Sequence, residues 1–202
     1  MMPRIKIKIF LATGVFFASG LLIHGQLQKI AFKNFSYVLS RNLDQAGANI
    51  VDEKGEIEKA RYAPSVPALY HQERSELNVQ TRPDYFRGRV ESHLIFHPPS
   101  PGSRRSLTFN SIPREQNLLI VYGFSDAVLN NPSAGNLQLE VRIEDKALFR
   151  KTIAASPGLF YEKFDLKKWV SASGPFSKLT FTVMADGDIR WAHFYVDGYA
   201  WS

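Results

Sequence analysis

The chain contains no cysteine, which excludes disulfide staples, thiolate metal sites and a cysteine nucleophile without by itself assigning a compartment. Acidic residues are missing from residues 1 to 43, a stretch that holds Arg4, Lys6, Lys8, Lys29, Lys33 and Arg41. Of 25 basic residues the other 19 face 19 acidic ones, so the net charge of +6 belongs to the N-terminal stretch. A formally neutral remainder argues against a nucleic-acid footprint and for an N-terminus that meets a membrane. Also missing are a Gly-x-Ser-x-Gly elbow, a glycine-rich phosphate loop, an internal repeat and a low-complexity tract.

Histidine is sparse and scattered, at His24, His71, His93, His97 and His193. His93 and His97 share one strand face but stand about 13 Å apart, too far to hold one metal. Ser92, Ser125, His93, Asp126 and Asp197 can be assembled into a hydrolase triad on paper, but nothing around either serine supplies a nucleophile context. Asp186 and Asp188 can offer oxygens to a calcium ion; solvated turn acids are the plainer reading. No cofactor is expected, and no catalytic residue is assigned.

What the chain does have is 45% hydrophobic content over 202 residues, enough for one packed domain with an appendage. Pro3 to Lys8 is a short basic region, followed by an apolar run whose anchoring side chains are Phe10, Leu11, Val15, Phe16, Phe17, Leu21, Leu22 and Ile23. Ala18-Ser19-Gly20 offers a signal-peptidase site, but Leu21-Leu22-Ile23 would then open the mature chain, so an uncleaved anchor is favoured. Apolar spacing from Gln26 to Leu43 predicts an amphipathic helix that continues the anchor. Arg4, Lys6 and Lys8 place the N-terminus in the cytoplasm by the positive-inside rule. The bulk of the chain is then periplasmic or otherwise outside the inner, cytoplasmic membrane.

Residues 44–84 are polar and punctuated by proline, as in Tyr62-Ala-Pro64-Ser-Val-Pro67. They are expected as an extended connector strapped along another surface. Residues 85–202 carry strand signals: His93–His97, Ser106–Phe109, Leu118–Tyr122, Leu137–Glu144, Ala147–Ile153 and Tyr161–Leu166. Between them lie the turn clusters Pro98-Pro99-Ser-Pro101-Gly102, Asn130-Asn131-Pro132 and Ser156-Pro157-Gly158. The expected fold is mainly β, an antiparallel jelly-roll β-sandwich preceded by the transmembrane and amphipathic helix and the connector.

The last two runs, Lys178–Ala185 and Arg190–Asp197, alternate with period two and are joined by Asp186-Gly187-Asp188, which reads as a hairpin. Ala192, Phe194 and Val196 then face a core, while Trp191, His193, Tyr195 and Asp197 line the opposite surface. Tyr199 and Trp201 place two large aromatics near the end of the chain, where a neighbour is expected to cover them. These six residues are the candidate ligand or partner site.

Leu107-Thr-Phe109, Leu119–Asp126, Leu139-Glu-Val-Arg-Ile143, Phe164-Asp-Leu166 with Trp169, Leu179–Val183 and Trp191–Asp197 together resemble galactose-binding-like β-sandwiches. The likeness covers roughly residues 90 to 202 and is nearest to carbohydrate-binding modules. It implies a non-catalytic recognition module. Joined to the N-terminal anchor, it leads to an expected accessory subunit of a larger membrane complex, with integral membrane subunits and the lipid bilayer as partners. The alternative is a carbohydrate-binding module displayed at the cell envelope, with glycan as its ligand.

Overall fold

The computed structural model describes residues 35–72, 77–97, 100–114, 117–131, 133–169, 175–188 and 192–202. The strands are β1 (Tyr37–Val38), β2 (Ala46–Val51), β3 (Ile57–Lys59), β4 (Arg61–Ala63), β5 (Ala68–Tyr70), β6 (Val79–Phe86) and β7 (Arg89–Ile95). They continue with β8 (Arg104–Pro113), β9 (Asn117–Phe124), β10 (Asn136–Ile143), β11 (Lys146–Ile153), β12 (Gly158–Asp165), β13 (Phe176–Asp186) and β14 (Phe194–Trp201). One sheet has eight strands in the order β12-β9-β14-β7-β6-β5-β4, with β1 also beside β14. The other has six, ordered β11-β10-β13-β8-β2-β3. All pairings between these strands are antiparallel.

The core between the sheets follows from alternation. Leu179, Phe181 and Val183 of β13 and Leu137, Leu139, Val141 and Ile143 of β10 are completely buried. Across from them lie Leu118, Ile120 and Phe124 of β9, and Phe194, Val196 and Ala200 of β14. Each fully buried aliphatic or aromatic side chain of this kind stabilises the fold by about 1.5–3 kcal/mol.

β13 and β14 do not form the expected hairpin. β13 pairs with β10 and β8 in one sheet, while β14 pairs with β9, β7 and β1 in the other. Asp186-Gly187-Asp188 therefore starts a crossing between sheets. Gly187, at φ +151°, would place a Cβ 3.2 Å from the Cα of Gly135, so the two loops approach too closely for a side chain. Period two identifies a strand with one buried side but not the sheet it joins.

Two further expectations meet a different outcome. The amphipathic helix, where it is described, is instead β1 followed by single 3₁₀ turns at Leu39–Arg41 and Leu43–Gln45. Its apolar stripe, Val38, Leu39 and Leu43, is buried in the chain's own sandwich. Gly198 makes room for Leu39, since a Cβ there would lie 2.7 Å from Leu39 Cδ1. Residues 44–84, expected as a connector, contribute β2 and β3 to one sheet and β4, β5 and most of β6 to the other. β3, β4 and β5 have three residues each, too short to display a period, so the sequence reads as punctuation between β2 and β6. The anchor residues Phe10 to Ile23 lie outside the described residues; among those described, no helix is long and apolar enough to cross a membrane.

Candidate functional site

β6 and β7 close on Arg87-Gly88, whose φ angles are +49° and +76°. Positive φ at both central residues matches the two-residue type I′ hairpin turn. Asp126, just past the end of β9, grips that turn: its carboxylate accepts Arg87 N at 2.7 Å and Gly88 N at 2.9 Å. Arg87 Nε also donates to the carbonyl of Pro157, one residue before β12, at 3.0 Å. Yet β7 pairs with β14 on the side away from β9 and β12, through Ile95 opposite Tyr195. The hairpin must therefore fold back across the outer face of the eight-stranded sheet, over β14 and β9. Alternation divides its side chains accordingly. Phe86 and His93 are buried against the sheet, with Asp84 and Glu91 half-buried beside them, while Tyr85 and Val90, a cross-strand pair, are 57% and 61% exposed on its back.

Beneath the hairpin, Phe86 meets Tyr195 edge-on at 5.1 Å and His93 at 5.7 Å. Ile95 and Leu159 complete this second, smaller apolar cluster. Two polar groups flank it. In the first, Tyr195 OH donates to Asp84 Oδ2 at 2.7 Å, and His193 Nδ1 lies 3.0 Å from the same oxygen. Burial opposes ionisation of Asp84, but hydrogen bonds from His193, Tyr195, the backbone of Tyr85 and Ser125 outweigh it and hold the pKa at about 2.

The second group is centred on Asp197, which is fully buried. Its Oδ1 accepts Gly198 N at 2.8 Å and Ser40 N at 3.2 Å, and its Oδ2 accepts Tyr199 OH at 3.3 Å. His93 Nδ1 lies 3.7 Å from Asp197 Oδ2, and His93 Nε2 lies 3.2 Å from Glu91 Oε2. Burial disfavours a charged His93, but hydrogen bonds to Asp197 and Glu91, and then their charges, prevail and raise its pKa to about 9. His93 is thus an imidazolium between two carboxylates at neutral pH.

His97 behaves in the opposite way. Its ring lies 5.1 Å from that of His193, and burial, reinforced by His193 and Arg105, pushes its pKa down to about 3. Arg105, completely buried, donates to the carbonyl of His97 at 2.7 Å and sits over the Phe96 ring at 4.8 Å.

Five of the six candidate residues are described, and Trp191 lies outside the described residues. His193, Tyr195, Asp197, Tyr199 and Trp201 do belong together, on or beside one sheet face, but they hold the chain's own hairpin and N-terminal segment. Phe35 stacks near Tyr199 at 5.0 Å and Trp201 at 6.1 Å, so the cover over the terminal aromatics is intramolecular. Lys163 Nζ lies 5.2 Å over the Trp201 ring. The paper triad does not assemble: Ser92 lies on the exposed back of the hairpin, Ser125 Oγ accepts Ala127 N at 3.3 Å, and Asp126 is engaged by the turn. No group of three potential metal ligands occurs among the described residues, and the Asp188 carbonyl accepts Gly135 N at 3.0 Å. Sequence reasoning missed Asp84, Phe86 and Glu91, and named Asp126 for a triad rather than for the turn it grips. The signal for them was Phe86-Arg-Gly88-Arg, a glycine turn between runs that alternate.

Elsewhere a polar cavity of about 290 Å³ opens where the chain passes from β3 to β4, lined by Asp52, Glu56, Glu58, Lys59, Arg61 and Tyr70 among others.

No protein-family model matches the chain, and no curated protein matches it. Solved structures do. The chain is similar to the second CBM51 module with INT domains of ZmpB from Clostridium perfringens, also solved with GlcNAc. For that pair of structures identity is 11%, with 60% of this chain and 25% of theirs covered, at TM-scores of 0.41 and 0.42. It thus spans about a quarter of those chains. It is also similar to the CBM51 of a Clostridium perfringens GH95 protein in complex with methyl-galactose, at 14% identity over 59% of this chain and 80% of that one, TM-score 0.38. The secreted serine protease VesC of Vibrio cholerae is matched at 16% identity over 70% of this chain and 26% of that one, TM-score 0.37.

Proposed function

We propose that this chain is a non-catalytic interaction module, held at the inner membrane by its N-terminal segment with the β-sandwich outside the cytoplasm, and that it serves as an accessory subunit of a larger membrane complex. The observation that carries the non-catalytic part is the engagement of the acid–base groups. Asp84, His193 and Tyr195 form one group and His93, Asp197 and Tyr199 another, both beneath the hairpin, where they fasten a rigid surface. The tether is supported by the apolar run Ile9 to Ile23, about 15 residues, which Ile5, Ile7 and Leu27 extend toward the roughly 20 that a spanning helix needs while the lysines snorkel. The test is solubilisation in mild detergent through a C-terminal affinity tag, followed by sizing and mass spectrometry. A stoichiometric membrane complex is expected, lost when residues 1–34 are replaced by a cleavable signal peptide; the replacement stops at Asn34 because Tyr37 to Leu43 belong to the sandwich. A lone protein of its own mass overturns the proposal.

A second reading, a glycan-binding module, is favoured by the polar cavity between β3 and β4, where hydrogen-bonding side chains converge beside Tyr70. A glycan screen of the purified chain tests it, with binding lost in Arg61→Ala as the supporting result.

A further inference from the structure

The two ends of the sandwich differ in charge, and the chain enters at one of them. Asn117, Asp165 and Trp201 share a row at that end, and Ser36 N donates to the carbonyl of Ala200 beside them. Phe35, the first described residue, also lies at this end, against Tyr199 and Trp201. The same end gathers the loop after β12, the β10–β11 turn and the start of β13, because Pro113 pairs with Phe176 and Ile143 with both Lys146 and Leu179. Among the described residues it holds six basic ones, Arg114, Lys146, Lys163, Lys167, Lys168 and Lys178, and three carboxylates, Glu144, Asp145 and Asp165. Arg114 pairs with Glu144 at 3.1 Å and Lys168 with Asp165 at 3.7 Å, which leaves the excess on the remaining lysines, all exposed. Among them Phe176 is 52% exposed. At the opposite end, among the described residues, Asp52, Glu53, Glu56, Asp126, Asp186 and Asp188 stand beside Lys54, Arg87, Arg89, Arg104 and the buried Arg105.

We infer that the lysine-rich end, with Phe176, rests on an anionic lipid surface, so that the sandwich stands on the membrane with its β6–β7 turn and Asp126 pointing away. This rests on the membrane tether proposed above. Lipid phosphates complement a patch of exposed lysines, and an exposed aromatic side chain at the same end suits the interfacial zone.

The absence of cysteine permits single labels. The full chain carries a fluorophore at Ala147→Cys, at the lysine-rich end, or at Leu129→Cys, at the opposite end, in phosphatidylcholine vesicles with or without phosphatidylglycerol. Nitroxide-headgroup lipid is expected to quench the first label several-fold more than the second, only with phosphatidylglycerol present and less at high salt. Lys146→Glu, Lys167→Glu and Lys178→Glu together should abolish the difference, at about fivefold per lysine in the contact equilibrium, while arginine at the same positions should keep it. Equal quenching at both ends, or quenching indifferent to phosphatidylglycerol, overturns the orientation while leaving the tether intact. A chain that floats with neither vesicle overturns both.

Discussion

On the outer face of the six-stranded sheet, Thr180 and Thr182 of β13 meet Thr108 and Ser106 of β8 at 3.1 and 3.2 Å, half-buried at the solvent edge. Glu140 there bridges Arg142 at 2.9 Å and Arg150 at 3.1 Å. On the outer face of the eight-stranded sheet, the like positions of β14 are Tyr195 and Asp197, both fully buried. β10 and the greater part of β13 alternate in burial, whereas β9 and β14 are buried almost throughout. One sheet thus faces water on its outer side, and at β9 and β14 the other is closed on both sides, by the second sheet within and by a folded-back hairpin without. The second closure is narrow and ionic, so a single side chain counts for more there than on the open face.

The largest way to break that contrast is Asp197→Ala. It leaves the His93 imidazolium without one of its two counter-charges and removes the acceptor for Ser40 and Gly198. A loss of about 3–5 kcal/mol is expected in urea unfolding, and a loss below about 1 kcal/mol would show that the closure contributes little.

The pH dependence comes next. His93 has a folded pKa of about 9 against an ordinary 6.5, so its contribution is complete below 6.5 and disappears as pH rises through 9. Asp84, at about 2 against an ordinary 3.8, contributes above 3.8 and loses that contribution as pH falls through 2. The urea midpoint should therefore decline between pH 6.5 and 9, and His93→Gln should flatten that alkaline limb. An unchanged limb in the variant would place the alkaline loss elsewhere.

Asp126→Ala is smaller and local. Releasing two turn N–H groups should cost about 1–3 kcal/mol, and amide exchange should accelerate in β6 and β7 while β10 and β13 keep their protection. Uniform acceleration across both sheets would mean that the hairpin does not open separately. Smallest is Thr182→Val on the open face, expected within about 0.5 kcal/mol of the parent.

Much of the sandwich was legible from alternation. Leu137 to Ile143 and Leu179 to Val183 announced strands with one buried side, and both sit at the centre of the six-stranded sheet. β3, β4 and β5 were not, because three residues carry no period. In the candidate site, His193, Tyr195 and Asp197 were placed on a common surface by alternation alone, and Tyr199 and Trp201 were marked separately as covered terminal aromatics. Their partners Asp84, Glu91 and His93 lie more than a hundred residues earlier in the chain, and no local pattern links such distant positions.

The sequence by itself determined that β14 has two differently used faces, that the +6 charge sits in the N-terminal stretch, and that cysteine chemistry is excluded. Only the tertiary structure decided that β13 and β14 belong to different sheets and that the polar face of β14 is covered by the chain's own hairpin. The physical reason is range: side-chain alternation is set by neighbouring dihedrals, whereas sheet membership and the pairing of buried charges depend on contacts between segments far apart in sequence, selected by the burial they jointly achieve.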